Sequence, residues 1–121
     1  MKKLSQIAKK ATTLSELIEG RELIENKDII KYFEKGIHVT DFDKVVKNDG
    51  EFFYVYTIAE DPKKFAFSGT VLNKIFLAID EEYADKKGEL YAQLRNGELQ
   101  VRLYEALTKE GEEYIGVEVI E

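Results

Sequence analysis

Tyrosines that alternate with other aromatic residues on one short segment are the clearest chemical signal in the sequence. Residues 52–56 read Phe-Phe-Tyr-Val-Tyr, so Tyr54 and Tyr56 would share one face of a β-strand. Because a tyrosine hydroxyl favours water or a polar partner, we expect both rings to point outward, with Phe53 and Val55 inside. Exposed rings can stack on unpaired bases, and each such stack is worth about 1–3 kcal/mol.

Other predicted strands carry aromatic and cationic residues that could act with these tyrosines. Arg102 and Tyr104 alternate on one strand, and Lys44 and Lys64 lie on two others, where they could contact phosphates. The predicted nucleic-acid-binding residues are Tyr54, Tyr56, Lys64, Arg102, Tyr104 and Lys44. An alternative for each tyrosine is packing in a second layer, against the N-terminal segment or a partner subunit.

Catalytic chemistry has few candidate residues. His38 is the only histidine, there is no cysteine, and an imidazole grouped with Asp41 and Asp43 would lack the further ligands of a metal site. The acidic residues between 80 and 85 lack the spacing of a calcium loop and are typical of a solvated helix end. We therefore expect no enzymatic activity, no cofactor and no metal.

Length and charge limit the class of protein. The chain has 121 residues, 44% of them hydrophobic, and a net charge of −6. That is enough for one domain with an ordinary core, and no apolar run approaches the ~20 residues of a membrane span. The charge argues against a large nucleic-acid footprint but permits a local basic groove. Residues 1–10 contain four lysines and indicate either a solubilising terminus or an arm that reaches phosphates.

The spacing of apolar residues changes near Gly36. Before it, Leu14, Leu17 and Ile18 have helical spacing, and residues 26–33 predict a second short helix. After it the period becomes two, which predicts strands at 37–46, 52–59 and 64–68. The first of these strands is interrupted near Asp41–Asp43, where we expect a bulge. Asn48-Asp49-Gly50 predicts a hairpin turn, and residues 60–63 predict a second turn.

A helix and two further strands complete the pattern. Residues 70–83 carry an apolar stripe at helical spacing, and strands are predicted at 99–104 and 114–119. Residues 89–96 fit a short helix better than a hairpin. The order strand, strand, strand, helix, strand, strand is that of an OB-fold, a five-stranded barrel, although another small barrel or an α+β sandwich could share it. We thus expect an α+β, mainly β chain with a basic N-terminal arm and short helices at 1–35 and an OB-like barrel at 36–121.

Three stretches resemble the small single-stranded-DNA-binding proteins of tailed phages and prophages. They are Thr-Leu-Ser-Glu-Leu-Ile-Glu-Gly-Arg-Glu at 13–22 with Asp-Ile-Ile at 28–30, Ile-Ala-Glu-Asp-Pro-Lys-Lys-Phe at 58–65, and Phe-Ser-Gly-Thr-Val-Leu at 67–72. The resemblance implies an OB-fold, cytoplasmic work in a bacterial host, and binding of replication or recombination intermediates.

Two functions are consistent with these patterns. The first is sequence-tolerant binding of single-stranded DNA, with replication or recombination proteins as possible further partners. The second is a phage or prophage protein-interaction module without nucleic-acid binding, favoured by the acidic C-terminal third, whose net charge is −7 over residues 80–121. Either protein could form homo-oligomers through exposed barrel edges.

Overall fold

A computed structural model describes residues 16–121, which fold into a curled mixed sheet and three helices. The strands are β1 (Glu22–Leu23), β2 (Ile37–Val46), β3 (Phe52–Ile58), β4 (Asp61–Phe67), β5 (Gln100–Leu107) and β6 (Glu113–Ile120). The helices are α1 (Asn26–Tyr32), α2 (Thr70–Glu82) and α3 (Lys87–Arg95). The basic residues 1–10 and the start of the first predicted helix lie outside the described residues.

The sheet has the strand order β1-β4-β3-β2-β5-β6. Only β1 and β4 are parallel; every other neighbouring pair is antiparallel. The five predicted strands are all present, but the expected count of five is wrong because Glu22 and Leu23 add a sixth strand beside β4. Of the predicted helix over residues 14–18, the described part is a single 3-10 turn at Glu16–Ile18.

Local sequence explains the turns that shape the sheet. Gly50 has a φ of +89°, which an L side chain rarely adopts, and Lys47 N–H donates to the Glu51 carbonyl to close the β2–β3 hairpin. The pairing of β2 with β3 shifts between Val39 and Asp41, which confirms the predicted bulge. The predicted turn at residues 60–63 is shorter than expected, since β4 already begins at Asp61.

The helices cover the inner, concave side of the sheet. Leu72 and Phe76 of α2 and Leu90 and Leu94 of α3 are buried, as expected from their helical spacing. Ile29 of α1 is also buried among the same core residues. These helices therefore supply most of the surface against which the inner faces of the strands pack.

A second, smaller apolar cluster lies on the outer side of the sheet. It contains the buried side chains of Val45, Val55 and Phe65, with Leu17, Ile18, Phe53 and Phe67 packed against them. Strand β3 therefore has apolar neighbours on both faces, the core on one side and this cluster on the other. Because both faces of β3 are covered, both its odd-numbered and its even-numbered residues are apolar or aromatic.

Candidate nucleic-acid interface

Tyr54 and Tyr56 point into the core, so the prediction that their rings face outward is wrong. Both side chains are 0% exposed. The Tyr54 hydroxyl donates to Asp80 Oδ2 of α2 at 3.1 Å, and the Tyr56 hydroxyl donates to Asn26 Oδ1 of α1 at 3.0 Å. Burial raises the pKa of both hydroxyls, and the Asp80 carboxylate adds to the effect on Tyr54.

The physical reason lies in the helices that pack on the inner face. A buried tyrosine hydroxyl needs a hydrogen-bond partner, and Asp80 and Asn26 supply one each from a different helix. Lys87 of α3 in turn pairs with Asp80, which keeps that carboxylate compensated. Neither ring is accessible for stacking on a base in this fold.

Partly exposed phenylalanines occupy the outer face where the tyrosines were expected. We call this surface the phenylalanine face; it comprises Val45, Phe53, Val55, Phe65 and Phe67 of β2, β3 and β4. The Phe53 and Phe67 rings are half-buried and meet edge to face with centroids 5.5 Å apart. Phe65 lies beside Phe67 at 5.6 Å but is only 7% exposed. The aromatic surface is therefore centred on Phe53 and Phe67.

Charges of both signs surround the phenylalanine face. Lys47 Nζ lies 5.8 Å from the centroid of the Phe53 ring and 3.9 Å from the Glu51 carboxylate. Asp41 and Asp43 pair with Thr57 and Val55 across β2 and β3, which places both carboxylates on this outer side. Burial is the main cause that raises the pKa of Asp41, with the Asp43 charge adding to it. The β2–β3 turn thus brings Lys47 together with the acidic Asp49 and Glu51, and the bulge adds two more carboxylates.

Arg102 and Tyr104 lie together on the outer side of the β5–β6 hairpin. The Arg102 guanidinium is 5.1 Å from the centroid of the Tyr104 ring and 2.8 Å from the Glu118 carboxylate. The Tyr104 ring lies against Gly116, where an added Cβ would be 2.3 Å from the ring. Because this hairpin pairs with β2 only at Ile37 and His38, these residues form a cluster separate from the phenylalanine face.

The two predicted lysines occupy further positions. Lys64 Nζ is 2.6 Å from Glu22 of β1, and this hydrogen-bonded pairing lowers the pKa of Glu22 and raises that of Lys64. Lys44 is exposed, with its Nζ 4.5 Å above the Phe52 ring centroid. The six predicted residues therefore do not converge on one site.

His38 is paired with a glutamate from the adjoining strand connection. Its Nδ1 lies 2.6 Å from Glu60 Oε2, and its backbone N–H donates to Glu60 Oε1 at 2.8 Å. The histidine thus contacts Glu60 rather than forming the imidazole–dicarboxylate group considered from the sequence. Within residues 16–121, no group of three or more His, Asp or Glu side chains could hold a metal ion.

No protein-family model matches this chain, and neither a curated protein nor a solved structure matches it. Among the helices of residues 16–121, none has the length and apolar character needed to cross a membrane. What the protein binds therefore has to be inferred from its own residues.

Proposed function

We propose that the protein binds single-stranded DNA on the phenylalanine face, with little preference for sequence. The observation that carries the proposal is the pair of half-buried rings, Phe53 and Phe67, with the Lys47 ammonium beside one of them. Every base has an aromatic surface that can stack on such rings, and nearby lysines neutralise phosphates. Because stacking makes no hydrogen bonds to base edges, the affinity should be about the same for DNA strands of different base sequence.

The strand order supports an OB-fold for residues 37–120. Strands β2 to β6 lie in the order β4-β3-β2-β5-β6. Two helices, α2 and α3, lie between β4 and β5, at the position where an OB barrel has a helix between its third and fourth strands. In OB-folds the second and third strands form the face that binds oligonucleotides. Their equivalents here are β3 and β4, which carry Phe53 and Phe67.

Lysines at the margins of the face suit the phosphate backbone. Lys47 lies at the β2–β3 turn, and Lys63 is an exposed residue of β4, the strand that carries Phe65 and Phe67. Arg102 lies on the separate β5–β6 cluster, and Glu118 holds its guanidinium at 2.8 Å, closer than the 3.9 Å between Lys47 and Glu51. Each lysine that contacts a phosphate should add about 0.7 to the log–log slope with which the DNA affinity falls as salt rises, for a single strand.

The cellular role follows from the resemblance to phage and prophage single-stranded-DNA-binding proteins. We place the protein in the cytoplasm of a bacterial host, on replication or recombination intermediates. Replication or recombination proteins and further copies of the chain are its expected partners.

The test is the affinity of the full chain for a fluorescein-labelled oligo-dT, measured by fluorescence anisotropy at low salt. Phe53→Leu and Phe67→Leu remove an aromatic ring but keep apolar bulk for packing. Each should weaken binding about 5- to 140-fold, the equivalent of one lost stack of about 1–3 kcal/mol. Tyr32→Leu, at an aromatic that is 66% exposed on α1, is the matched control and should bind normally. Equal affinity for all three variants would rule the phenylalanine face out.

A protein-interaction module is the second candidate, and one groove favours it. The groove, of about 760 Å³, lies between the start of α2 and the β5–β6 turn and includes Val71, Leu107 and Tyr114. Leu107 is 65% exposed, and Glu110 and Glu112 are exposed on the adjoining turn. A chain that binds no oligo-dT at low salt, yet forms a complex with one purified protein that Leu107→Asp abolishes, would establish this function instead.

A further inference from the structure

A short N-terminal segment covers part of the phenylalanine face. We call residues Glu16–Leu23 the strap; it runs from the 3-10 turn through β1. Leu17 and Ile18 of the strap pack against the outer cluster that contains Val55 and Phe65. Val55 is 0% exposed and Phe65 is 7% exposed. The Phe65 ring, which could otherwise stack on a base, is therefore covered by the protein's own residues.

The contacts between the strap and β4 are short and exposed. The β1–β4 pairing spans two residues, and the Glu22–Lys64 pair and the hydrogen bond from Arg21 to the Pro62 carbonyl are both exposed. Exposed ion pairs contribute little to stability. Segments with short pairing and exposed hydrogen bonds are the first to open in a folded protein.

The chain that follows the strap is anchored much more firmly. Ile29 of α1 is 1% exposed in the main core. Asn26 accepts a hydrogen bond from Tyr56 and donates one to the Phe67 carbonyl of β4. The strap can therefore leave β4 while α1 stays in place, with Ile24 as the first anchored residue, since its N–H donates to the Phe65 carbonyl and its side chain packs on the main core.

We propose that the strap is a displaceable cover that competes with single-stranded DNA for the part of the phenylalanine face formed by Val55 and Phe65. The proposal rests on the function proposed above and adds its regulation. In the covered state Phe53 and Phe67 are accessible; when the strap lifts, Phe65 joins them as a third ring on the same strand pair. Bases and the Leu17 and Ile18 side chains occupy the same apolar surface, so bound DNA favours the open strap.

The first test weakens the strap without adding charge. The double variant Leu17→Ser with Ile18→Ser removes the apolar contacts and should bind labelled oligo-dT about fivefold or more tightly, because a larger fraction of molecules has the face open. Val119→Ser, at a residue 50% exposed on β6, is the matched control and should bind as the unmodified chain does. Unchanged or weaker binding by the double variant overturns the cover.

The second test follows the strap in the unmodified protein. Hydrogen exchange of the backbone amides of residues 16–23 should become faster when saturating oligo-dT is added, because the hydrogen bonds between the strap and β4 are broken. Exchange in that segment that stays constant or slows down overturns the proposal. If oligo-dT binds neither the unmodified chain nor the double variant, the proposed function itself fails, which distinguishes the two outcomes.

Discussion

Replacing Tyr56 with phenylalanine removes one hydroxyl from the interior and leaves the ring in place. That hydroxyl is the partner of Asn26 Oδ1 at 3.0 Å, while Asn26 Nδ2 donates to the Phe67 carbonyl at 3.1 Å. Without the hydroxyl, Asn26 Oδ1 is left without this donor in a partly buried site, which costs about 1–3 kcal/mol. The ring keeps its packing against Phe76, 5.5 Å away between centroids, so no cavity term adds to this loss.

Urea denaturation followed by circular dichroism measures this loss directly. We expect the midpoint for Tyr56→Phe to fall at an unchanged m-value, because only stability changes. Tyr32→Phe is the matched control, since its ring is 66% exposed, and it should stay within about 0.5 kcal/mol of the unmodified chain. A neutral Tyr56→Phe would refute the inward orientation of this tyrosine and restore it as a candidate surface residue.

Three further predictions concern titration, backbone and charge. Because the pKa values of Tyr54 and Tyr56 are raised, their contribution to stability is complete below the unfolded pKa of about 10 and is lost as pH rises above it. The free energy of unfolding should then fall by up to about 2.7 kcal/mol per pH unit for both tyrosines together. Urea titrations between pH 9 and 11 should show this fall, and Tyr56→Phe should make the dependence on pH less steep. Gly36→Ala should lower the free energy of unfolding by about 2–4 kcal/mol in the same assay, because φ is +114° and the added Cβ would lie 3.0 Å from the Val101 carbonyl oxygen of β5. Gly50→Ala, where the added Cβ meets no atom within 4 Å, should lower it by only about 1–2 kcal/mol. Asp43→Asn removes a carboxylate from the phenylalanine face and should tighten oligo-dT binding about two- to fivefold at low salt, a gain that high salt should cancel.

Most of the fold was predictable from the periodicity of the sequence. The period of two after Gly36, the Asp-Gly turn and the apolar stripe of α2 each correspond to an element of the structure. The strand β1 could not be predicted, because two residues carry no periodicity and their pairing with β4 depends on a contact between residues about 40 positions apart. The boundary of β4 was missed because Pro62 reads as a turn residue.

The candidate site was less predictable because β3 is apolar on both faces. The rule that tyrosine hydroxyls face outward fails here, since Asp80 and Asn26 supply buried partners that only the tertiary structure brings together. One sequence pattern could have indicated which face of the sheet is outside. Strand β4 reads Phe65-Ala66-Phe67, and the small Ala66 suits the inner face, where the helices pack closely. Pairing the two phenylalanines with Phe53 would have placed the aromatic surface outside.

The most direct test of the central claim is a heteronuclear NMR titration of the full chain with oligo-dT. Binding on the phenylalanine face predicts that the largest shifts of backbone amides fall on Phe53, Val55 and Phe67, with Arg102 and Tyr104 little changed. Shifts confined to the β5–β6 hairpin, or no shifts at low salt, would contradict the claim.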